Sequence, residues 1–344
     1  MKINNCTNCG GRVEFSPNDK ALKCINCGNV YPIKHNKTVS KHSIDWIPPV
    51  EQLQQWSKEN HSFKCQTCGA QVAFNRYDIA THCNYCGANS LMSSDELPGL
   101  KPEIVVPFKI SKEDAKTEFY NRVKKRNFLP LDFKKNLPRA EFGATYISSF
   151  NFAMFVSAEY KGTQRITRTE RDSRGNSRTV TEYRHFSGKI DNQFNNILVE
   201  ASDKLSQNDI RSVLPYDFEE SYDYNDDFVK GYNVGYYNQS VDNAEHVAKQ
   251  EAYNSIENMI RNRYSSISSL TITPTYSNIC YNYALLPIYF ITFRYKEKSY
   301  TNVMNGQTAK TAGNVPRSGL QITMLVLFIL AIIGIPMLII LLNM

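Results

Sequence analysis

Beyond residue 100 the apolar positions fall into two rhythms, one of helices and one of strands. Ile104-Val105-Val106-Pro107-Phe108 is an apolar run of strand length. Ala115, Phe119 and Val123 then recur at every fourth position behind Ser111-Lys112-Glu113-Asp114. That spacing and the capping-box start predict an amphipathic helix over 112–126, with Lys124-Lys125-Arg126 at the negative end of its dipole. Tyr146, Phe150, Phe152, Phe155 and Val156 mark 144–160 as a strand. Residues 165–183 alternate basic with other side chains around Asp172-Ser173-Arg174-Gly175-Asn176, which predicts a long polar hairpin turning at Gly175. A solvated face is its reading, with acidic headgroups or RNA as the alternative. Ser206-Gln207-Asn208-Asp209 opens a short helix that ends before Pro215. A long helix follows from Ser240 to about Tyr264, burying Ala244, Val247, Ala248, Ala252, Ile256, Met259 and Ile260. Strands then occupy 270–274, 285–295 and 299–304, Asn305-Gly306 signals a two-residue turn, and 307–311 continues an antiparallel meander. Last comes Leu320–Leu342, 23 residues with no charge. At 1.5 Å per residue it reaches about 34 Å, which predicts one transmembrane helix with a kink at Pro336.

The first hundred residues follow another rule. Of nine cysteines, eight fall by residue 86. Cys6 and Cys9 are separated by fourteen residues from Cys24 and Cys27, and Cys65 and Cys68 by the same fourteen from Cys83 and Cys86. A shift of 59 superimposes all eight, and also Gly10 on Gly69, Val13 on Val72, Phe15 on Phe74, Asp19 on Asp78 and Gly28 on Gly87. Each CxxC turn places two thiolates on one side of a tight loop, and the glycine after it relieves crowding around the sulfurs. Four thiolates close a tetrahedral shell and leave no position for water or substrate. The expectation is two structural Zn2+ ions per chain, held by Cys6, Cys9, Cys24 and Cys27 and by Cys65, Cys68, Cys83 and Cys86; iron in an all-sulfur shell is the alternative. His82, next to Cys83, is read as a surface residue or one packed behind the ligands, and His35, His42 and His61 as linker residues with no acidic partner at ligand spacing. The two tryptophans, Trp46 and Trp56, lie in the linker, where 50–56 fits one or two helical turns.

Charge narrows the function. The chain carries 40 basic and 33 acidic residues, but residues 1–100 hold only 10 against 8. Each zinc with four thiolates carries two net negative charges, which brings the loaded zinc region to about −2. That argues against phosphate binding, which wants a dense Lys/Arg patch. Arg12, Lys20, Lys23, Lys34, Lys37 and Lys41 form only a mildly basic, solvated side. The acidic run over 215–227 lacks the twelve-residue register of an EF-hand. Cys280 is expected to be a buried or half-buried free thiol, with only His185 and His246 in its region, and no catalytic residue or small-molecule substrate is inferred. The start of the chain shows no secretory signal. Lys296, Lys298, Lys310 and Arg317 precede the apolar run and no base follows it. The expected localisation is therefore the cell membrane, single-pass, with the bulk cytoplasmic and the C-terminus outside.

These residues resemble a bacterial family of membrane-anchored double-zinc-ribbon proteins, often labelled transcription-factor-IIB-like zinc-binding or replication-initiation-like. The carriers are the eight cysteines, Pro107-Phe108 before the Ser111 helix, Asp227-Phe228 through Lys230-Gly231-Tyr232 and Tyr236-Tyr237, Leu286-Pro287-Ile288-Tyr289, and Asn305-Gly306-Gln307-Thr308. The family pattern usually has Trp at Tyr289 and Gly at Ala309. The resemblance implies an adaptor; some members look like membrane tethers for flotillin-type or phage-shock-type proteins. No phosphate-binding GxxxxGK[ST] loop is present.

The expected fold is α+β: a zinc ribbon over 1–34, a linker with a short helix over 35–62, a second ribbon over 63–95, an α+β cytoplasmic domain over 102–317 ending in a meander, and a transmembrane helix over 320–342. The expected function is a non-catalytic, membrane-tethered adaptor or scaffold that binds protein partners at the inner face of the membrane, in envelope stress. The alternative is a membrane-anchored nucleic-acid-binding or transcription/replication-associated zinc-ribbon protein.

Overall fold

The computed structural model describes residues 5–37, 40–46, 60–75, 83, 85, 88, 91–94, 101–135, 139–171, 177–202, 205–235 and 239–342, without the side chains of 60–62, 72–75, 93–94 and 335–342. Cys86, His82, Trp56 with the helix expected over 50–56, and the Gly175 turn lie outside the described residues.

The strands are β1 (Val13–Ser16), β2 (Ala21–Cys24), β3 (Val30–Tyr31), β4 (His42–Ser43), β5 (Asn60–Cys65), β6 (Gln71–Asn75), β7 (Leu91–Ser94), β8 (Ile104–Val105), β9 (Glu141–Arg171), β10 (Ser177–Glu200), β11 (Tyr222–Asp223), β12 (Asn233–Gly235), β13 (Ile267–Tyr295), β14 (Lys298–Asn305) and β15 (Thr311–Gly313). The helices are α1 (Lys112–Lys124), α2 (Leu131–Lys135), α3 (Gln207–Val213), α4 (Val241–Arg263) and α5 (Gly319–Leu342).

The α+β class holds, and the helix starts form as their residues dictate. Ser111 Oγ accepts the Asp114 amide at 3.1 Å, and Ala115, Phe119 and Val123 are buried in α1. At α3, Ser206 and Asp209 complete a reciprocal capping box. Helix α4 buries Ala244, Ala248, Ala252, Ile256 and Ile260, one residue per turn. Its three alanines let the helix lie close on the sheet, so the stripe is narrower than expected. Val247 is half-buried and Met259 is exposed on the flanks.

The strands are longer than their patterns indicated. Strand β9 runs 31 residues and pairs antiparallel with β10 along one edge and with β13 along the other. The expected strands over 270–274 and 285–295 merge into the single β13. A register shift between Ser277 and Cys280, with Asn278 at φ +52°, absorbs the irregular stretch between them. Strands β13, β14 and β15 form the meander, but the loop at Asn305-Gly306 is longer than two residues. Asn305 N–H donates to the Lys310 carbonyl, and Ala309 takes φ +55°. The Asn305 side chain is the cause. Its Nδ2 donates to the carbonyls of Val213 (2.8 Å) and Pro215 (3.0 Å), while its Oδ1 accepts the amides of Gln307 and Thr308.

Successive residues of β9 point to opposite faces. Tyr146 joins a core with Phe108, Phe119, Phe142, Leu285 and Tyr289. Ile147 joins one on the other face with Val106, Ile210, Leu286 and Ile288. Further along, Phe150, Phe152, Met154 and Val156 face α4.

Helix α5 forms where the apolar run predicts it. No helix among the described residues is long and apolar enough to cross a membrane. This corrects the expectation of a transmembrane helix over 320–342. The single-pass cell-membrane localisation, the membrane tether in both functional readings and partners at an inner membrane face depend on that span, and are withdrawn with it.

Candidate metal centres

The four sulfurs of Cys6, Cys9, Cys24 and Cys27 all lie within 4.8 Å of one another, as do those of Cys65, Cys68 and Cys83. Individual Sγ–Sγ separations are 3.5 Å for Cys6–Cys27, 3.5 Å for Cys9–Cys24 and 3.7 Å for Cys68–Cys83. A tetrahedron with metal–sulfur bonds of about 2.3 Å has edges of about 3.8 Å, so the residues fit a divalent ion with sulfur ligands. Each cluster is a group that could hold a metal ion.

The knuckles explain the convergence. The amides of Cys6, Cys24, Cys65 and Cys83 each donate to the carbonyl five residues on, at Gly11, Asn29, Ala70 and Ala88. In three of them the glycine four residues on returns a bond to the cysteine carbonyl: Gly10, Gly28 and Gly69. Those glycines sit at φ +71°, +73° and +67°. A Cβ on Gly10 or Gly28 would meet nothing within 4 Å. The glycine therefore supplies the left-handed backbone that closes the turn, and does not relieve crowding at the sulfur.

Tyr31, which the cysteine spacing does not reveal, belongs to the first centre. Its hydroxyl lies 3.2 Å from Cys6 Sγ and accepts the Thr7 amide at 3.0 Å and Asn29 Nδ2 at 3.1 Å. The Tyr31 hydrogen bond chiefly pushes the Cys6 thiol down to about 6. The Cys27 amide chiefly holds Cys24 below the usual thiol range. At Cys9 the Gly11 amide lowers the thiol, but Cys27 and Cys24 outweigh it and push it up to about 12. Crowded thiols that cannot all ionise are the condition a dication relieves.

The other expected residues are dispersed. His35 packs edge-on to Tyr222 at 4.4 Å. His42 is stacked on Trp46 at 3.9 Å and paired with Glu103, an acidic partner 61 residues away that no local spacing shows. Cys280 is half-buried, as expected. The basic side of the first ribbon is partly neutralised, with Lys23 at 3.0 Å from Asp19 and Arg12 at 3.3 Å from Glu14. Lys41 turns inward to Asn151 Oδ1 (3.2 Å), Asn196 Oδ1 (3.4 Å) and the Asn195 carbonyl. In the Arg-rich hairpin, Glu170 pairs with both Arg168 and Arg178.

Both centres pack into the sheet. Cys6, Val13, Phe15, Leu22 and Cys24 share the core of Tyr146 and Leu285, whereas Cys65, Ala70, Cys83 and Tyr85 share that of Ile147 and Leu286. Between them runs the strap 228–235, part of the segment that carried the family resemblance. Phe108 and Tyr289, from two more of those segments, converge on it: Phe108 is stacked on Tyr232 at 4.6 Å and lies 4.9 Å from Tyr289.

The chain is 27% identical over 319 residues to the uncharacterized protein YdjG of Bacillus subtilis (strain 168), covering 91% of this chain and 89% of that protein. No family model matches the chain, and no solved structure matches it. Membership of a membrane-anchored double-zinc-ribbon family is accordingly corrected to two cysteine clusters and a distant likeness to one bacterial protein.

Proposed function

We propose that the chain is a non-catalytic zinc protein that serves as a scaffold for protein partners, with one structural zinc ion in each cysteine cluster. In this reading Cys86 completes the second shell, 1–34 and 63–95 are the metal-bound units joined by 35–62, and 102–317 is the α+β body they brace. The observation that carries it is the sulfur geometry, which fits a four-thiolate shell at the first cluster and three of the four corners of such a shell at the second. The scaffold reading is supported by apolar side chains left outside on both ribbons: Ile25 is 59% and Met92 58% exposed. The low charge of the loaded zinc region favours protein over phosphate partners.

Elemental analysis of protein purified without added metal should give near two zincs per chain. A value near zero with all thiols titratable, or iron in place of zinc, would refute the metal assignment. Ile25→Asp and Met92→Asp should abolish capture of the partners held by the wild type while leaving the zinc content unchanged. Nucleic-acid binding that weakens steeply between about 50 and 200 mM salt would count against protein scaffolding.

A further inference from the structure

We infer that the strap 228–235 couples the two metal sites, so that filling either one tightens the other. The inference rests on the two-zinc reading above and adds how the sites are regulated.

Both ribbons hold this one segment, and they do so with equivalent strands. On the first ribbon, the Phe15 amide donates to the Lys230 carbonyl at 3.0 Å, and Tyr232 Oη donates to the Phe15 carbonyl at 3.3 Å. The Phe15 ring stands edge-on to Phe228 at 5.5 Å. On the second ribbon, β6 pairs antiparallel with β12, Ala73 opposite Val234 and Val72 opposite Gly235. The 59-residue shift that superimposes the cysteines carries β1 onto Val72–Asn75, so the same strand of each copy grips the strap. The gripped positions all fall within the eight residues 228–235.

Two glycines show how close the grip is. A Cβ at Gly231 would lie 2.8 Å from the side-chain carbons of Glu14, and Gly231 also sits at φ +86°. A Cβ at Gly235 would collide with the hydroxyl of Tyr85, which lies within the second site's knuckle between Cys83 and Cys86. The strap is tied to the sheet as well: Val234 pairs in parallel with Tyr146, and the Tyr146 hydroxyl donates to the Phe228 carbonyl at 3.1 Å.

A ribbon of this size has too little core to fold without its metal. Emptying the first site therefore releases the Phe15 contacts and frees the strap, and β6 loses the ordered strand it pairs with. Emptying the second site removes β6 and the Tyr85 knuckle, and the strap no longer presents Lys230 to Phe15. The first metal to bind meets the ordering entropy of the strap, and the second finds it already placed. By linkage the effect is reciprocal.

The test is native mass spectrometry of the full chain at one zinc per chain, followed by saturation. Independent sites of equal affinity leave about half of the chains singly loaded, and unequal affinities leave more. Tenfold coupling, about 1.4 kcal/mol, lowers that fraction to about a quarter. Gly231→Val, which forces β1 off the strap, should return the fraction to one half or above while two zincs still bind at saturation. A wild-type chain that saturates at two zincs with a singly loaded fraction no lower than independent sites would give, from the affinities of the single sites left in Cys24→Ser and Cys83→Ser, overturns the coupling and leaves the two-zinc reading intact. Saturation below two zincs overturns both. The wild-type distribution, set against those single-site affinities, decides the matter even if the valine variant does not fold.

Discussion

The first ribbon keeps its sheet to itself, whereas the second lends its strands to the body of the protein. Strands β1, β2 and β3 form a separate three-stranded sheet, while β5, β6 and β7 extend the large one through β12. The cysteine spacing is the same in both copies, and so is the hydrogen bond from the first cysteine of each pair to the carbonyl five residues on. The differences lie at two other matched positions. Tyr31, which seals the first centre by bonding Cys6, corresponds to Ser90; Tyr85, which anchors the second knuckle 4.7 Å from the Phe290 ring, corresponds to Asn26. A metal knuckle is thus a local structure that the cysteines specify alone, and one aromatic residue near it determines how it is joined to the rest.

The largest effect should come from removing a buried ligand. Cys24→Ser and Cys83→Ser each remove a buried sulfur from a proposed zinc shell, whose binding free energy is about 10–16 kcal/mol. Elemental analysis should show the loss of at least one zinc, and urea unfolding should show a lower midpoint. The two variants should differ in reach. Cys83→Ser should raise hydrogen exchange across β12 and β9, because the second ribbon is continuous with that sheet; Cys24→Ser should expose β2 and β3 first. Equal exchange patterns would erase the distinction between the ribbons.

Backbone strain comes next. Gly28→Ala places a Cβ in open space at φ +73°, so only the left-handed conformation costs, about 1–2 kcal/mol. Gly28→Asn should cost less, since Asn tolerates that conformation. If Ala and Asn prove equally harmful, the glycine serves packing instead.

Tyr31→Phe tests the asymmetry between the centres through pH. The Tyr31 hydroxyl lowers the Cys6 thiol to about 6, below its ordinary value near 9. The thiolate contribution is therefore present above the ordinary value and is lost as pH falls through about 6. Without the hydroxyl, protons compete better for Cys6. A chromophoric chelator should detect zinc release beginning at a higher pH in the variant than in the wild type, and an unchanged onset would remove Tyr31 from the centre.

Lys23→Ala should have the smallest effect. Lys23 pairs with Asp19 on the surface of the first ribbon, where the second copy has His82 and Asp78. Exposed pairs of this kind contribute about 0–1 kcal/mol. A larger fall in the unfolding midpoint would make this pair part of the difference between the ribbons.

Local chemistry was legible from the residues. The CxxC spacing located the seven described cysteines that converge in two clusters, because two thiols in one tight turn need no distant partner. The Ser111 and Ser206 caps and the stripe of α4 were equally plain, since each depends on neighbours within one or two turns. The apolar run of α5 announced a helix, and a helix formed. Its hydropathy alone also suggested a membrane span, which the described residues do not provide.

Tertiary structure decided what depends on register and on distant contacts. The merging of two apolar stretches into β13 needed β9 alongside it and a bulge at Asn278 to keep them in step. Asn305 read as a turn residue, yet its side chain is held by carbonyls about 90 positions away. Tyr31 and Tyr85 carry no local pattern that marks them, and Gly231 and Gly235 acquire meaning only when a ribbon lies against each. The sequence by itself determined the two metal-binding turns and the helix caps, because a few adjacent bonds suffice for each. Only the folded chain placed those turns on opposite faces of one sheet with a shared strap between them, because pairing across a sheet is set by every strand at once.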